Sequence, residues 1–239
     1  MRKSKLILFI IIAIFVLLVL IGLVSFYPVL SMNPVETGQV FNTEILAVKN
    51  GMNSSFLIKA KNGDGYILFD AGSNAKKFET SLSKIEITAS DIKWIFLSHS
   101  DSDHVGALTL FQDAQIYMNK DELQMINGDT KRNQFGENSL PPGIDIDKIT
   151  LLSDGQELFP GETIIKCIAA PGHTPGSMLY LIDGKYLFTG DAFKINNSSL
   201  SVHPFTMDES QSKQTILNLS EFVSNASVVL TSHFGARIR

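Results

Sequence analysis

Two histidines and two aspartates fall within six residues of the stretch FLSHSDSDHVGAL, residues 96–108. His99, Asp101, Asp103 and His104 come directly after the apolar run IKWIF, which is typical of a buried β-strand. Imidazole nitrogen is a good ligand for zinc, and carboxylate oxygen shifts the preference towards harder cations. The stretch therefore predicts a group of metal ligands in a loop at the end of a strand.

Other chemistry-bearing side chains follow strand-like runs in the same way. Of the five histidines, His173 and His233 also follow apolar runs, and Asp191 ends the run LFTGD. Loops at one edge of a sheet converge, and functional residues concentrate there. Scattered surface side chains do not produce this clustering, so the pattern favours one metal site built from distant segments.

The rest of the body alternates short strands with helices and contains no internal repeat. Strands are predicted at 43–49, 55–60, 65–72, 92–99, 114–119, 163–173, twice within 177–191, and at 226–235. Helices are predicted at 74–82, 105–111, 120–127 and 208–223. Sheets mixed with helices in this manner indicate a layered sandwich.

The segments LSHSDSDHVGA, APGHTPGS, LFTGDAF and LTSHFG resemble, in this order, the motifs of the metallo-β-lactamase superfamily, and YILFDAG resembles its early strand turn. The resemblance implies an α+β fold, a four-layer αββα sandwich, over residues 41–239. The first motif of that family is usually His-x-His-x-Asp-His, whereas this chain has Asp101 at the second histidine. Some relatives share this change, including the nuclease-like domains of competence proteins.

The resemblance also implies two divalent cations, zinc in the first place, with manganese or iron admitted by the extra carboxylate of Asp101. A hydroxide shared by the cations would be the nucleophile, and Asp103 would orient the attacking water. Asp70 is either an acceptor that fixes the ring of a ligand histidine or only a turn former. The implied ligand sets are His99, Asp101 and His173 for one cation, and Asp103, His104 and His233 for the other, with Asp191 bridging.

The first 40 residues differ from the body. Residues 1–5 carry three basic side chains, and residues 6–27 form an uncharged apolar run long enough to span a bilayer as a helix. Basic residues before the span predict a cytoplasmic N-terminus and an extracytoplasmic domain at 41–239, joined by a linker at 28–40 that Pro28 and Pro34 keep from being helical. A cleaved signal peptide and a secreted protein are the alternative.

Charge and cysteine content restrict the function. The chain has 20 basic and 24 acidic side chains, and three of the basic ones precede the apolar run, so the body is acidic and nucleic acid is not an expected partner. The lone Cys167 forms no internal disulfide and is expected in the core, as is Trp94. His203 is expected on a surface loop, and Gly172 and Gly176 are expected to permit the turns around His173.

The expected function is a membrane-anchored extracytoplasmic metal-dependent hydrolase of a small-molecule ester, thioester, lactone or phosphoester. One alternative is a nuclease or phosphodiesterase resembling the competence-protein domain. Another is a metal-binding sensory ectodomain without turnover.

Overall fold

The structure is a computed structural model that describes residues 2–132, 138–196 and 199–239. Met1, the first residue of the expected cytoplasmic segment, lies outside the described residues. The chain forms two compact units, Met1–Met32 and Asn33–Arg239.

The first unit is one helix, α1 (Arg2–Leu30). Its window Ile7–Val24 is long and apolar enough to cross a membrane, and a signal sequence near the N-terminus meets the same criterion. The expectation that Pro28 prevents helix is wrong, because Pro28 lies in the last turn of α1. The proline φ suits a helix, and its ring removes only one hydrogen bond near the end.

The second unit begins earlier than expected. Residues 33–40 are expected to belong to a linker, yet Gly38–Gln39 pairs with the next strand and Val40 is buried in the core. Two apolar residues, Val35 and Val40, pack against the core of the sandwich, and this fixes the segment to the domain.

Two sheets pack face to face in the second unit. In the first sheet the strands follow chain order, antiparallel from β1 to β4 and parallel from β4 to β7. Its strands are β1 (Gly38–Gln39), β2 (Leu46–Asn50), β3 (Asn53–Lys59), β4 (Tyr66–Phe69), β5 (Ile92–Phe96), β6 (Gln115–Asn119) and β7 (Ile149–Leu152).

The second sheet has the order β15-β14-β11-β10-β9-β8. Only β11 and β14 are parallel neighbours in it, and a separate hairpin joins β12 to β13. Its strands and the hairpin are β8 (Glu157–Leu158), β9 (Ile165–Ala169), β10 (Met178–Ile182), β11 (Tyr186–Phe188), β12 (Lys194–Asn196), β13 (Ser199–Ser201), β14 (Val228–Leu230) and β15 (Ala236–Ile238).

The core lies between the sheets because alternate residues of each strand face inwards. Phe69 and Phe96 of the first sheet meet Tyr180 of the second, and Phe96 also stacks on Tyr117 at 4.5 Å. The outer faces are apolar as well, and helices cover them. This is the αββα layering expected from the resemblance.

The helices of the second unit are α2 (Ala75–Ser83), α3 (Ser102–Val105), α4 (Leu123–Ile126) and α5 (Glu209–Asn225). Phe78 and Leu82 of α2 pack on the outer face of the first sheet, and Leu219 and Val223 of α5 pack on the second. Short 3₁₀ turns lie at Ala89–Asp91, Leu108–Leu110, Lys120–Glu122, Ile146–Lys148 and Pro160–Glu162.

Two predicted helices differ from the structure. The helix predicted at 105–111 is replaced by α3, which ends at Val105, and a 3₁₀ turn. The region 120–127 is a 3₁₀ turn that continues into α4. Both segments are too short to nucleate a helix alone, and tertiary contacts decide their conformation.

Candidate metal centre

The topology brings the loops with chemistry-bearing residues to one edge of the sandwich. Strands β4 and β5 are parallel, so their carboxyl ends lie together in the first sheet. Strands β9, β11 and β14 run in one direction in the second sheet, so their carboxyl ends also share an edge. The loops after these five strands carry Asp70, the motif His99–His104, His173, Asp191 and His233.

Three of the predicted ligands form one group, here called the Asp101 position: His99, Asp101 and His173. Asp101 Oδ2 lies 3.3 Å from His99 Nε2 and 3.3 Å from His173 Nε2. Burial alone would raise the pKa of Asp101, but the neighbouring His99 contributes to holding it well below its usual range.

A second group, here called the Asp103 position, contains Asp103, His104 and His233. Asp103 Oδ2 lies 3.2 Å from His233 Nε2 and 3.8 Å from His104 Nε2. Burial alone would raise the pKa of Asp103, but the neighbouring imidazoles lower it. The carboxylate is therefore ionised at neutral pH.

Asp191 lies between the two positions. Its Oδ2 is 3.2 Å from His233 Nε2, 3.5 Å from His104 Nε2 and 3.6 Å from His173 Nε2. Its Oδ1 is buried and has no hydrogen-bond partner among the described residues. All seven residues expected as ligands thus meet at one centre, with Asp191 in the place expected for a bridge.

Hydrogen bonds on the far side of the rings determine which imidazole nitrogen faces the centre with a lone pair. His233 Nδ1 lies 2.7 Å from the carbonyl oxygen of Met52, and His104 Nδ1 lies 2.6 Å from Asp70 Oδ2. Both partners are acceptors, so both Nδ1 atoms carry the proton and both Nε2 atoms present a lone pair to the centre when the ring is neutral. His104 Nε2 has no hydrogen-bond partner in the described part of the chain.

Asp70 fixes a second ring through Ser98. The Ser98 hydroxyl donates to Asp70 Oδ2 at 2.7 Å and lies 2.9 Å from His99 Nδ1, so its oxygen accepts a hydrogen bond from the His99 Nδ1–H. Asp70 Oδ1 accepts from the Ser98 backbone N–H at 2.7 Å. Asp70 also has a positive φ of 61°. It therefore has the backbone conformation of a turn residue, and it is also the acceptor next to His104 Nδ1.

Neighbouring carboxylates raise the pKa values of two of the histidines. Burial lowers the pKa of His233, but Asp191 and Asp103 outweigh it and raise the pKa to about 10. The pKa of His104 is also raised, against burial, by Asp103, Asp191 and Asp70. A centre that stabilises extra protons in this way is one that stabilises cations.

His203 is not on the surface, contrary to expectation. Its ring is 2% exposed, and its Nε2 lies 3.5 Å from Asp191 Oδ2. Its Nδ1 accepts the backbone N–H of Phe205 at 3.3 Å, so the neutral ring carries its proton on Nε2, which faces the centre. Burial lowers the pKa of His203 well below its ordinary value. The ring is neutral and differs in tautomer from His104 and His233.

Arg132 is a second residue that the motifs did not indicate. Its Nε donates to Asp101 Oδ1 at 2.9 Å, and its Nη2 lies 2.7 Å from Asp101 Oδ2 and 2.8 Å from His173 Nε2. Nη1 donates to the Phe205 carbonyl at 2.6 Å. Asn138 Nδ2 donates to Asp101 Oδ1 at 2.8 Å. The carboxylate at the variant motif position thus has a buried guanidinium partner.

Glu122 joins the two loops that carry His99 and His173. Its Oε1 accepts from the backbone N–H and the hydroxyl of Ser100, and its Oε2 accepts from the Thr174 hydroxyl and the Gly176 N–H. The side chain is fully buried. Four donors on two loops therefore depend on one carboxylate.

Glu122→Gln is expected to destabilise the domain by on the order of 3 kcal/mol, because the amide group then faces a buried backbone N–H. Thermal and urea unfolding of the purified protein measure the change. Glu157→Gln, on exposed β8, is the matched control and is expected to change stability by less than about 0.5 kcal/mol. Equal stabilities for the two variants would contradict the role given to Glu122.

The glycines near His173 have different roles. Gly172 has a φ of 138°, and a Cβ there would lie 2.6 Å from the backbone of Ser212. Gly176 needs no special φ, but a Cβ would lie 2.2 Å from the backbone nitrogen of Glu122. Both glycines lie in turns, as expected, and Gly176 also permits the close approach of two loops.

The remaining expectations concern the core. Cys167 is fully buried between the sheets, and burial raises its pKa to about 12, so it is an inert core side chain as expected. Trp94 packs, partly buried, against the same core.

Known proteins resemble the chain in sequence. It is 34% identical over 128 residues to the "Probable polyketide biosynthesis zinc-dependent hydrolase PksB" of Bacillus subtilis, covering 52% of this chain and 48% of that protein. It is 28% identical over 165 residues to the anaerobic nitric oxide reductase flavorubredoxin of Escherichia coli, covering 66% of this chain and 32% of that protein. The chain thus spans about half or less of the length of these curated relatives.

Solved structures share the fold. MEM-A1, a subclass B3 metallo-beta-lactamase from a soil metagenome library, superposes with a TM-score of 0.63 at 20% identity, covering 84% of this chain and 80% of that one. The family model described as "Metallo-beta-lactamase superfamily" matches residues 48–233, which include all seven converging side chains. The chain belongs to the metallo-beta-lactamase superfamily.

Proposed function

We propose that this protein is a metal-dependent hydrolase of a small ester, thioester, lactone or phosphoester. One observation carries the proposal: imidazoles with fixed Nδ1 protons and ionised carboxylates point their free donor atoms at one buried centre. Relatives whose names include "zinc-dependent hydrolase" support the same reaction class.

The residues fit a divalent cation. At the Asp103 position the donors are His104 Nε2, His233 Nε2 and Asp103, with Asp191 beside them. This mixed nitrogen and oxygen set suits zinc and admits manganese or iron. A bound divalent cation supplies Lewis acidity, which lowers the pKa of water and polarises a carbonyl or phosphoryl oxygen.

Asp103 has a second role in the proposal. Its side chain is 40% exposed, whereas those of Asp191 and His104 are 4% and 0% exposed. Its carboxylate therefore reaches the open side of the centre, where it orients the attacking water and accepts a hydrogen bond from it.

His203 contributes a donor. Its Nε2–H faces the centre and has no hydrogen-bond partner among the described residues. A neutral N–H in this place donates to the oxygen that gains negative charge during attack. The tautomer argues against a ligand role, because a ligating Nε2 requires a lone pair.

His203→Ala is expected to lower kcat by about a hundredfold or more while leaving the metal content unchanged, because one donor to the developing charge is lost. His203→Gln places an amide N–H near the original Nε2 and is expected to recover part of kcat. Metal analysis and steady-state kinetics on both variants check this. A metal content that falls with activity would show that His203 is a ligand instead.

The surroundings support a small organic substrate. The rings of Phe205 and Phe234 lie 5.9 Å and 5.3 Å from His203, so apolar groups flank the donor. The body of the chain is acidic, and an acidic surface repels polyanions. A small molecule with an apolar part is therefore favoured over a nucleic acid.

A panel of chromogenic substrates tests the function. Purified protein loaded with zinc or manganese is assayed on a nitrophenyl carboxylate ester, a thioester, a lactone, nitrophenyl phosphate, bis-nitrophenyl phosphate, single-stranded DNA and nitrocefin. Hydrolysis of the ester, thioester, lactone or phosphomonoester that is lost in His104→Ala supports the proposal. Turnover of the phosphodiester and DNA alone would favour a nuclease, turnover of nitrocefin alone would favour a β-lactamase, and metal binding without any turnover would favour a sensory ectodomain.

We also propose that α1 anchors the protein with its N-terminus in the cytoplasm and the domain outside. The apolar window Ile7–Val24 and the preceding basic residues support this orientation. Protease treatment of intact cells is expected to remove the domain from the cell surface. Full protection of the domain would contradict the orientation, and recovery of a shortened protein from the medium would favour cleavage and secretion.

A further inference from the structure

The two metal positions are not equivalent. At the Asp103 position two carboxylates, Asp103 and Asp191, face imidazoles whose Nε2 atoms point inwards, so a divalent charge is matched by two negative charges. At the Asp101 position the one carboxylate belonging to that group is already paired with a guanidinium. A guanidinium group is a cation and has only N–H donors.

The contacts of Arg132 engage the donor atoms that a cation would need. Both oxygens of Asp101 accept from it, Oδ1 from Nε at 2.9 Å and Oδ2 from Nη2 at 2.7 Å, and this fork is the strong bidentate form of the pair. His173 Nε2 lies 2.8 Å from Nη2. Since a guanidinium only donates, the lone pair of His173 Nε2 points at Arg132.

A further observation agrees with this arrangement. The Nδ1 of His173 is buried and has no hydrogen-bond partner in the described part of the chain, so nothing there fixes the ring from the far side as Asp70 fixes His104. At His173, Arg132 therefore contacts the nitrogen that would otherwise face a cation.

Arg132 is also held in place from behind. Its side chain is 5% exposed, Nη1 donates to the Phe205 carbonyl, and Asn138 adds a hydrogen bond to Asp101 Oδ1. A second divalent cation at the Asp101 position would meet this guanidinium at close range, where like charges repel strongly. Arg132 would have to leave Asp101 before such a cation could bind.

We propose that the guanidinium of Arg132 takes the place of a second divalent cation, so that the protein binds one divalent cation tightly, at the Asp103 position. This inference rests on the proposed function. It reduces the expected number of tightly bound divalent cations from two to one. Asp101, the variant residue of the motif, is then the partner of Arg132 rather than primarily a metal ligand.

Titration of metal-free protein with Zn²⁺ in the presence of a chromophoric chelator tests the proposal. The wild type is expected to bind about one equivalent tightly and a second at least about a hundredfold more weakly, because of charge repulsion. Arg132→Gln is expected to bind the second equivalent at least about tenfold more tightly than the wild type. Arg237→Gln, which removes a guanidinium that donates to the Val223 carbonyl, is the matched control and should behave as wild type.

Two equivalents bound with similar affinity by the wild type would overturn the proposal, and this measurement does not depend on the folding of a variant. An unchanged second affinity in folded Arg132→Gln would also overturn it. Wild-type protein that binds no divalent cation would overturn the proposed function itself, which separates the two failures.

Discussion

Asp191→Asn is expected to abolish tight binding of a divalent cation and to lower kcat/KM by at least about a thousandfold, since metal catalysis supplies several kcal/mol of transition-state stabilisation. The reason is the central place of the carboxylate. Asp191 Oδ2 lies within 3.6 Å of the Nε2 atoms of His104, His173 and His233. Asparagine has the same shape but lacks the charge that offsets a cation.

Metal content per chain and kcat/KM are the two measurements. A third readout separates metal loss from misfolding: zinc raises the melting temperature of wild type by mass action, and this increase should vanish in Asp191→Asn. The metal-free variant supplies the reference melting temperature for this comparison, since loss of the Asp191 charge also removes its interaction with His104 and His233 in the metal-free protein.

Asp154→Asn is the matched control. Asp154 accepts the Ala169 N–H from outside the centre, so metal content and kcat/KM should not change. If Asp191→Asn retained the zinc of the wild type and its rate, the buried carboxylate would be no part of the metal centre.

Most of the centre could be predicted from local sequence because its residues follow strands. A run such as IKWIF identifies a strand, and a polar residue after it lies at a sheet edge. The strand ends favoured grouping His99, His173 and His233, and the structure brings them together because β9 and β14 run in the same direction. What local sequence predicts poorly is pairing across long separations.

Arg132 and His203 illustrate that limit. Arg132 contacts Asp101 across 31 positions and Phe205 across 73, and no local periodicity records such pairs. His203 follows β13, a short hairpin strand that the pattern did not indicate, so nothing placed it at the edge. The one sequence signal was the rarity of histidine in this chain: there are only five, and the other four were all expected at the metal centre.

The secondary structure likewise separates into elements that local sequence predicts and elements that depend on distant contacts. The long strands and α5 were predicted because several residues repeat with the right period. Strands β1 and β8 have two residues each, which is too few for alternation to appear, and their pairing depends on neighbours. The membrane-length run was recognisable from composition, but the end of α1 beyond Pro28 was not.

Asp70→Asn is expected to weaken zinc binding by about 10- to 100-fold, the usual effect of losing a residue that orients a ligand. Asparagine tolerates the φ of 61° at this position, so the backbone is preserved. With its oxygen on the Ser98 N–H, its amide group faces His104 Nδ1, which then has to accept. The proton of His104 moves to Nε2, and the lone pair that faces the centre is lost.

Two further variants make the test specific. Asp183→Asn replaces another aspartate of positive φ, in a turn where it accepts the Ile164 N–H, and should leave zinc affinity unchanged. Ser98→Ala removes the link from Asp70 to His99 but keeps the direct bond to His104. If the tight cation lies at the Asp103 position, Ser98→Ala should weaken zinc binding much less than Asp70→Asn. Both variants break the hydrogen-bonded link from Asp70 through Ser98 to His99, but only Asp70→Asn alters the direct contact with His104. Equal losses of zinc affinity in Ser98→Ala and Asp70→Asn would therefore mean that His99 holds the cation as firmly as His104 does.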